Sequence, residues 1–186
     1  MEKTQKAKLT IEKQPKTANG LESREKLAKM LETKITQTRE NLSKKKYIVD
    51  GGVAIGESLE QFMTNTASWK FTEAMGVIEA VKQLQLSIKA INDKKTKELY
   101  VDPLLLEAVY YFLTKVEGVG LHHAASYLAM LRPVSEALGS YKEDKDKLDQ
   151  MVRDHGTVQH AIDNGVGVEH EDEILKEIED EFKNVM

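Results

Sequence analysis

The chain has 186 residues, with 27 Lys or Arg against 31 Asp or Glu, 5 His and a formal net charge of −4. That length suits one modest domain with tails, and the lack of any cysteine excludes disulfides and thiolate metal sites. No eighteen apolar residues run together, which excludes a membrane-spanning helix, and the polar, lysine-rich N-terminus lacks the apolar core of a secretory signal, so a cytoplasmic location is expected.

Only 3 Pro occur, Glu, Lys, Leu and Ala are abundant, and no convincing run of β-branched residues alternates with polar ones. The expected fold is therefore all-α: a compact helical domain with a flexible basic N-terminal arm and an acidic C-terminal helix. Residues 1–20 are polar, contain Pro15 and Gly20, show no sustained apolar period and read as the arm. Residues 21–49 read as an amphipathic helix, with Ser23 as cap and Glu25 in its first turn. Leu27, Leu31, Ile35, Thr38 and Leu42 form a narrow stripe with near-heptad steps, suited to a coiled coil or a protein partner. Lys44, Lys45 and Lys46 suit the negative end of that helix and are also candidate phosphate contacts.

Asp50-Gly51-Gly52-Val53-Ala54-Ile55-Gly56 has no Gly-Lys-Ser/Thr ending and no preceding strand, so it reads as a joint rather than a nucleotide loop. Residues 57–140 hold most of the apolar residues and form the expected core. A helix is predicted over 57–65 and a longer one over 67–93, presenting Phe71, Met75, Ile78, Val81, Leu84 or Leu86, Ile88 and Ile91 on a broad apolar surface. Trp69 and Phe71 read as core anchors. Tyr100-Val101 reads as a connector, and Asp102-Pro103 as a helix start with Asp as cap and Pro in the first turn.

The next segment carries the chemistry. Leu105, Val109, Phe112 and Val116 follow one helix face, Gly118-Val119-Gly120 supplies a tight turn, and Leu121, Ala124, Leu128 and Leu131 follow a second face. Exposed amides of such a turn, with the first N–H groups of the next helix, suit an anion. Val116, Gly118, Val119, Gly120, Ala124 and Leu128 together resemble the helix-hairpin-helix family, over roughly residues 103–131. The resemblance implies a grip on DNA or RNA backbone phosphates without sequence preference. It places Gly118, Val119 and Gly120 at the phosphate, with Lys115, His122 and His123 as side-chain donors. His122 and His123 stand where DNA-binding members usually carry Lys or Arg, and Glu117 precedes the turn. Read without the resemblance, Gly-X-Gly is also a purely structural link between antiparallel helices.

Pro133 is expected to restart a short helix that Gly139 ends. Residues 141–186 form an acidic helical tail, with Gly156 interrupting one helix and Asn164-Gly165-Val166-Gly167 as a turn or linker. A final helix is expected from Glu171, with Ile174, Leu175, Ile178 and Phe182 on one stripe. His155, His160, Asp163 and His170 are too irregularly spaced for a metal site, and neither a cofactor nor catalysis is expected.

Residues 1–46 carry thirteen basic and six acidic residues, a balance of +7, whereas residues 141–186 carry six basic and fourteen acidic, a balance of −8. That polarity fits a basic arm for nucleic acid, head-to-tail association, or one end folding back on the other. Two functions are expected from different classes. One is a non-enzymatic nucleic-acid-associated accessory protein. The other is an α-helical assembly, scaffold or adaptor protein working through the stripes at Leu27–Leu42 and Ile174–Phe182, oligomers included.

Overall fold

The computed structural model describes residues 11–15, 18–66, 69–94, 98–115 and 121–185. Among them the chain winds into six α-helices with four short strands, and the fold is all-α. In order these are β1 (Ile11–Pro15), α1 (Ala18–Lys44), β2 (Tyr47–Val49), α2 (Gly52–Gln61) continued by a π-helical turn (Phe62–Thr66), and α3 (Phe71–Lys94). There follow β3 (Leu99–Val101), α4 (Pro103–Lys115), α5 (Leu121–Asn164), β4 (Val166–Val168) and α6 (Glu171–Val185). The chain divides into two compact units, one made of Met1–Leu42 with Lys145–Met186 and one of Ser43–Asp144.

In the first unit, the two oppositely charged chain ends come together. Leu27, Ala28 and Leu31 of α1 are buried against Val158 of α5 and Ile178 of α6, with Ile174 and Leu175 at the margin. Each apolar stripe thus covers the other. Arg24, only 5% exposed, donates from Nε to Glu171 Oε2 at 3.0 Å and also to the Val166 carbonyl. Lys26 adds an exposed ion pair with Glu179. β1 pairs antiparallel with β4, Ile11 opposite Val168.

The second unit has the larger core. β2 and β3 pair antiparallel, Tyr47 opposite Val101 and Val49 opposite Leu99, and all four are buried. Ile48 and Tyr100, opposite each other on the other face, are exposed, as a period of two requires. Val77, Val81, Leu84, Ile88 and Ile91 of α3 join Leu105, Leu106, Val109 and Leu113 of α4 and Met130, Val134 and Leu138 of α5. Gly56 lets α2 lie against α3: a Cβ there would stand 2.8 Å from Ile88 Cγ1. Asp102 caps α4 as expected, its Oδ1 accepting from the Leu105 amide at 2.9 Å.

Several local expectations are corrected. Residues 11–15 form a strand, where an arm through residue 20 was expected, and the expected linker at Val166 and Gly167 is its partner β4. Such strands, three to five residues long, give no alternation that a sequence reading can detect. α5 does not break at Pro133, Gly139 or Gly156. Proline inside a helix costs about 3 kcal/mol, and burying Val134 and Leu138 beside it returns about 1.5–3 kcal/mol each. The glycine-rich joint at residues 50–56 is helical from Gly52, with Gly51 at φ 103 ahead of the first turn, a conformation suited to glycine.

Candidate functional site

The residues expected at a phosphate site are only partly described. Gly118, Val119 and Gly120, and the side chains of His122 and His123, lie outside the described residues. Lys115 ends α4 with Nζ 5.3 Å from the centre of the Tyr111 ring. The Tyr127 hydroxyl of α5 donates to the Leu113 carbonyl at 2.7 Å, tying α5 to the last turn of α4. Burial holds that phenol above its ordinary value, with Tyr110 adding to it. The inward stripe expected on α5 is corrected: Leu128 is 60% exposed, while Tyr127 and Leu131 pack beside the core and Met130 and Val134 are buried in it. The face is set by Tyr127, whose ring meets Phe62 at 5.9 Å.

The lysine run is likewise divided among separate tasks. Lys44 closes α1. Lys45 is ion-paired with Asp144 and lies 5.1 Å from the centre of the Tyr47 ring. The Tyr47 hydroxyl donates to the same carboxylate oxygen at 2.8 Å. Burial first, and then Asp144, push that phenol far above its ordinary value of 10, so it stays protonated as a donor. Lys46 lines a groove of about 580 Å³ completed by α3 and β3 residues, among them Leu86, Ser87, Ala90, Ile91 and Tyr100.

The stripes expected to meet protein partners are also corrected. Leu27, Leu31 and Ile35 are at most 6% exposed, and Ile178 is 6% exposed. Leu27 and Leu31 meet Val158 and Ile178 of this same chain, apolar face against apolar face. The Phe182 side chain lies outside the described residues.

The surface that sequence reasoning missed is on α3. Met75, Ile78 and Leu86 belong to the apolar set expected in the core, yet they are 76%, 48% and 60% exposed. At 3.6 residues per turn, Val77, Val81, Leu84 and Ile88 occupy one side of the helix, and Met75, Glu79, Lys82 and Leu86 the other. The signal was legible: α3 carries apolar residues around most of its circumference, more than one core face can absorb. Among the described residues no cluster of three or more His, Asp and Glu could hold a metal ion. Nor is any described helix long and apolar enough to cross a membrane. The chain matches no protein-family model, no curated protein and no solved structure.

Proposed function

We propose that this chain is a non-enzymatic α-helical assembly or adaptor protein that acts through protein–protein contacts. The observation that carries this reading is the outward face of α3, where Met75, Ile78 and Leu86 stand in solvent opposite a fully packed inner face. Leaving a Met or Leu side chain in water forgoes about 1.5–3 kcal/mol of burial, and several together on one helix mark a surface that something covers. The nucleic-acid reading draws less support, since Lys45 is ion-paired with Asp144 and Leu128 is 60% exposed.

A photo-crosslinking residue at position 75 or 86, with exposed Glu177 as control position, tests this in cells producing the full chain. Polypeptide adducts at 75 and 86 but not at 177 are expected. Their absence, together with saturable single- or double-stranded DNA binding that falls steeply with salt in fluorescence anisotropy, would replace this reading with the nucleic-acid one.

A further inference from the structure

Building on the protein-contact reading above, we propose that the partner is a second copy of this chain. Two α3 helices pair antiparallel through their outward faces. Met75 of each copy enters the groove beside Leu86 of the other, and Glu79 of each faces Lys82 of the other.

The outward stripe has its own order. Met75, Glu79, Lys82 and Leu86 follow steps of four, three and four, the spacing of a seam between two helices. A two-fold axis at the level of the Ala80–Val81 peptide brings position 75 opposite 86 and position 79 opposite 82. Apolar then meets apolar at both ends, and acid meets base in the middle, twice. A parallel pairing in register would set Glu79 against Glu79 and Lys82 against Lys82, so the charge order selects the antiparallel arrangement. The contact is self-complementary, as a closed two-fold dimer demands.

The groove supplies an independent reason. Leu86, Ile91 and Tyr100 are among the residues that line it. Met75 is 76% exposed, and its unbranched thioether chain suits the apolar part of a lining in which Leu86, Ile91 and Tyr100 stand among Lys46, Gln83 and Asp102. Glu79 Oε1 accepts from Gln83 Nε2 at 2.9 Å within its own helix, which holds the carboxylate on this side of α3. Nothing in the core has to move, because Val77, Val81, Leu84 and Ile88 face the other way and stay buried. One helix face per copy is a small interface, so a dissociation constant in the micromolar range is expected.

Sedimentation equilibrium of the full chain, from about 1 to about 300 µM, tests the pairing. A monomer–dimer equilibrium is expected. Glu79→Lys and Lys82→Glu should each weaken it by about tenfold, since each reversal turns two attractive contacts repulsive. The double variant Glu79→Lys/Lys82→Glu should restore it. Met75→Glu/Leu86→Glu should leave monomer only, with unchanged circular dichroism because both side chains already face water. A chain that is monomeric throughout, a dimer indifferent to these changes, or single reversals that the double variant does not rescue would overturn the pairing. A monomeric chain that still crosslinks to another polypeptide at 75 and 86 overturns the self-pairing alone and leaves the protein-contact reading standing. Saturable DNA binding without crosslinks ends both.

Discussion

Arg24 and Glu171 lie 147 residues apart in sequence and form one buried clasp, Nε to Oε2 at 3.0 Å, at the N-terminus of α6. Arg24 is satisfied by two acceptors, the carboxylate and the Val166 carbonyl. Glu171 is not: among the described residues its Oε1 is buried with no hydrogen-bond partner. Burial therefore outweighs the attraction of Arg24 and holds the Glu171 carboxyl above its ordinary value of 4.5, with Asp172 adding to the rise.

A pH dependence of stated sign results. The folded state takes up this proton more readily than the unfolded chain. The stability from Glu171 is thus complete below the ordinary carboxyl value and is lost as pH rises through the raised one. Relative to a Glu171→Gln variant, the unmodified protein should lose ground in urea unfolding as pH goes from about 4 to about 7. An opposite slope would show that the ion pair, not burial, governs this carboxyl.

Breaking the clasp from one side should differ sharply from removing it whole. Arg24→Met leaves a buried carboxylate unpaired and should destabilise the first unit by about 3 kcal/mol. Arg24→Met/Glu171→Leu removes both charges, and its unfolding free energy should return to within about 1 kcal/mol of the original. Chemical denaturation of the three proteins at one pH settles it. If the double variant is as weak as the single one, the clasp contributes net stability that apolar packing does not replace.

The helices were legible in the sequence wherever apolar period and capping agreed. α4 is the clearest instance, since Asp102 and Pro103 announce its start and Leu105, Val109 and Phe112 its buried side. What stayed hidden depends on residues distant in sequence. Tyr47 and Val101 pair across more than fifty positions, in strands too short to show a period. The burial of Leu27 and Leu31 against Ile178 could only be suspected, because opposite charge at the two ends permits folding back and association between chains alike. For the candidate site the composition of α3 was visible, but which of its apolar residues faced outward depended on where α2 and α4 pack. Gly118, Val119 and Gly120, the richest motif in sequence terms, lie outside the described residues.

Glycines inside helices separate two physical situations that sequence alone does not distinguish. At Gly139 and Gly156 an added Cβ would meet nothing within 4 Å, so alanine should stabilise by about 0.5–1 kcal/mol at each site through reduced backbone freedom of the unfolded chain. At Gly56 the same methyl would stand 2.8 Å from Ile88 Cγ1, and at Gly76 3.0 Å from Phe112 Cζ. Gly56→Ala should destabilise by about 1–3 kcal/mol, because overfilling forces α2 and α3 apart. Thermal melts of the single variants check the sign at each position. A stabilising Gly56→Ala would mean that Ile88 yields without cost.

Asp144 Oδ2 receives both the Tyr47 hydroxyl and the Lys45 ammonium, and the two contacts should differ in weight. Tyr47 is 4% exposed and donates a neutral O–H to a charged acceptor, an arrangement worth about 1.5–3 kcal/mol. The Lys45 side chain is 50% exposed, where solvent screens the pair and about 0–1 kcal/mol is typical. Tyr47→Phe should therefore cost more in urea unfolding than Lys45→Met. The phenol remains protonated because burial and Asp144 both oppose its ionisation, so raising pH to about 9 should leave that ranking unchanged. Added salt should shrink only the Lys45→Met penalty. Were Lys45→Met the costlier change, the cation would be the main tether of Asp144, and the apolar seat of the Tyr47 ring beside Tyr141, 5.5 Å between centroids, would account for little of the stability there.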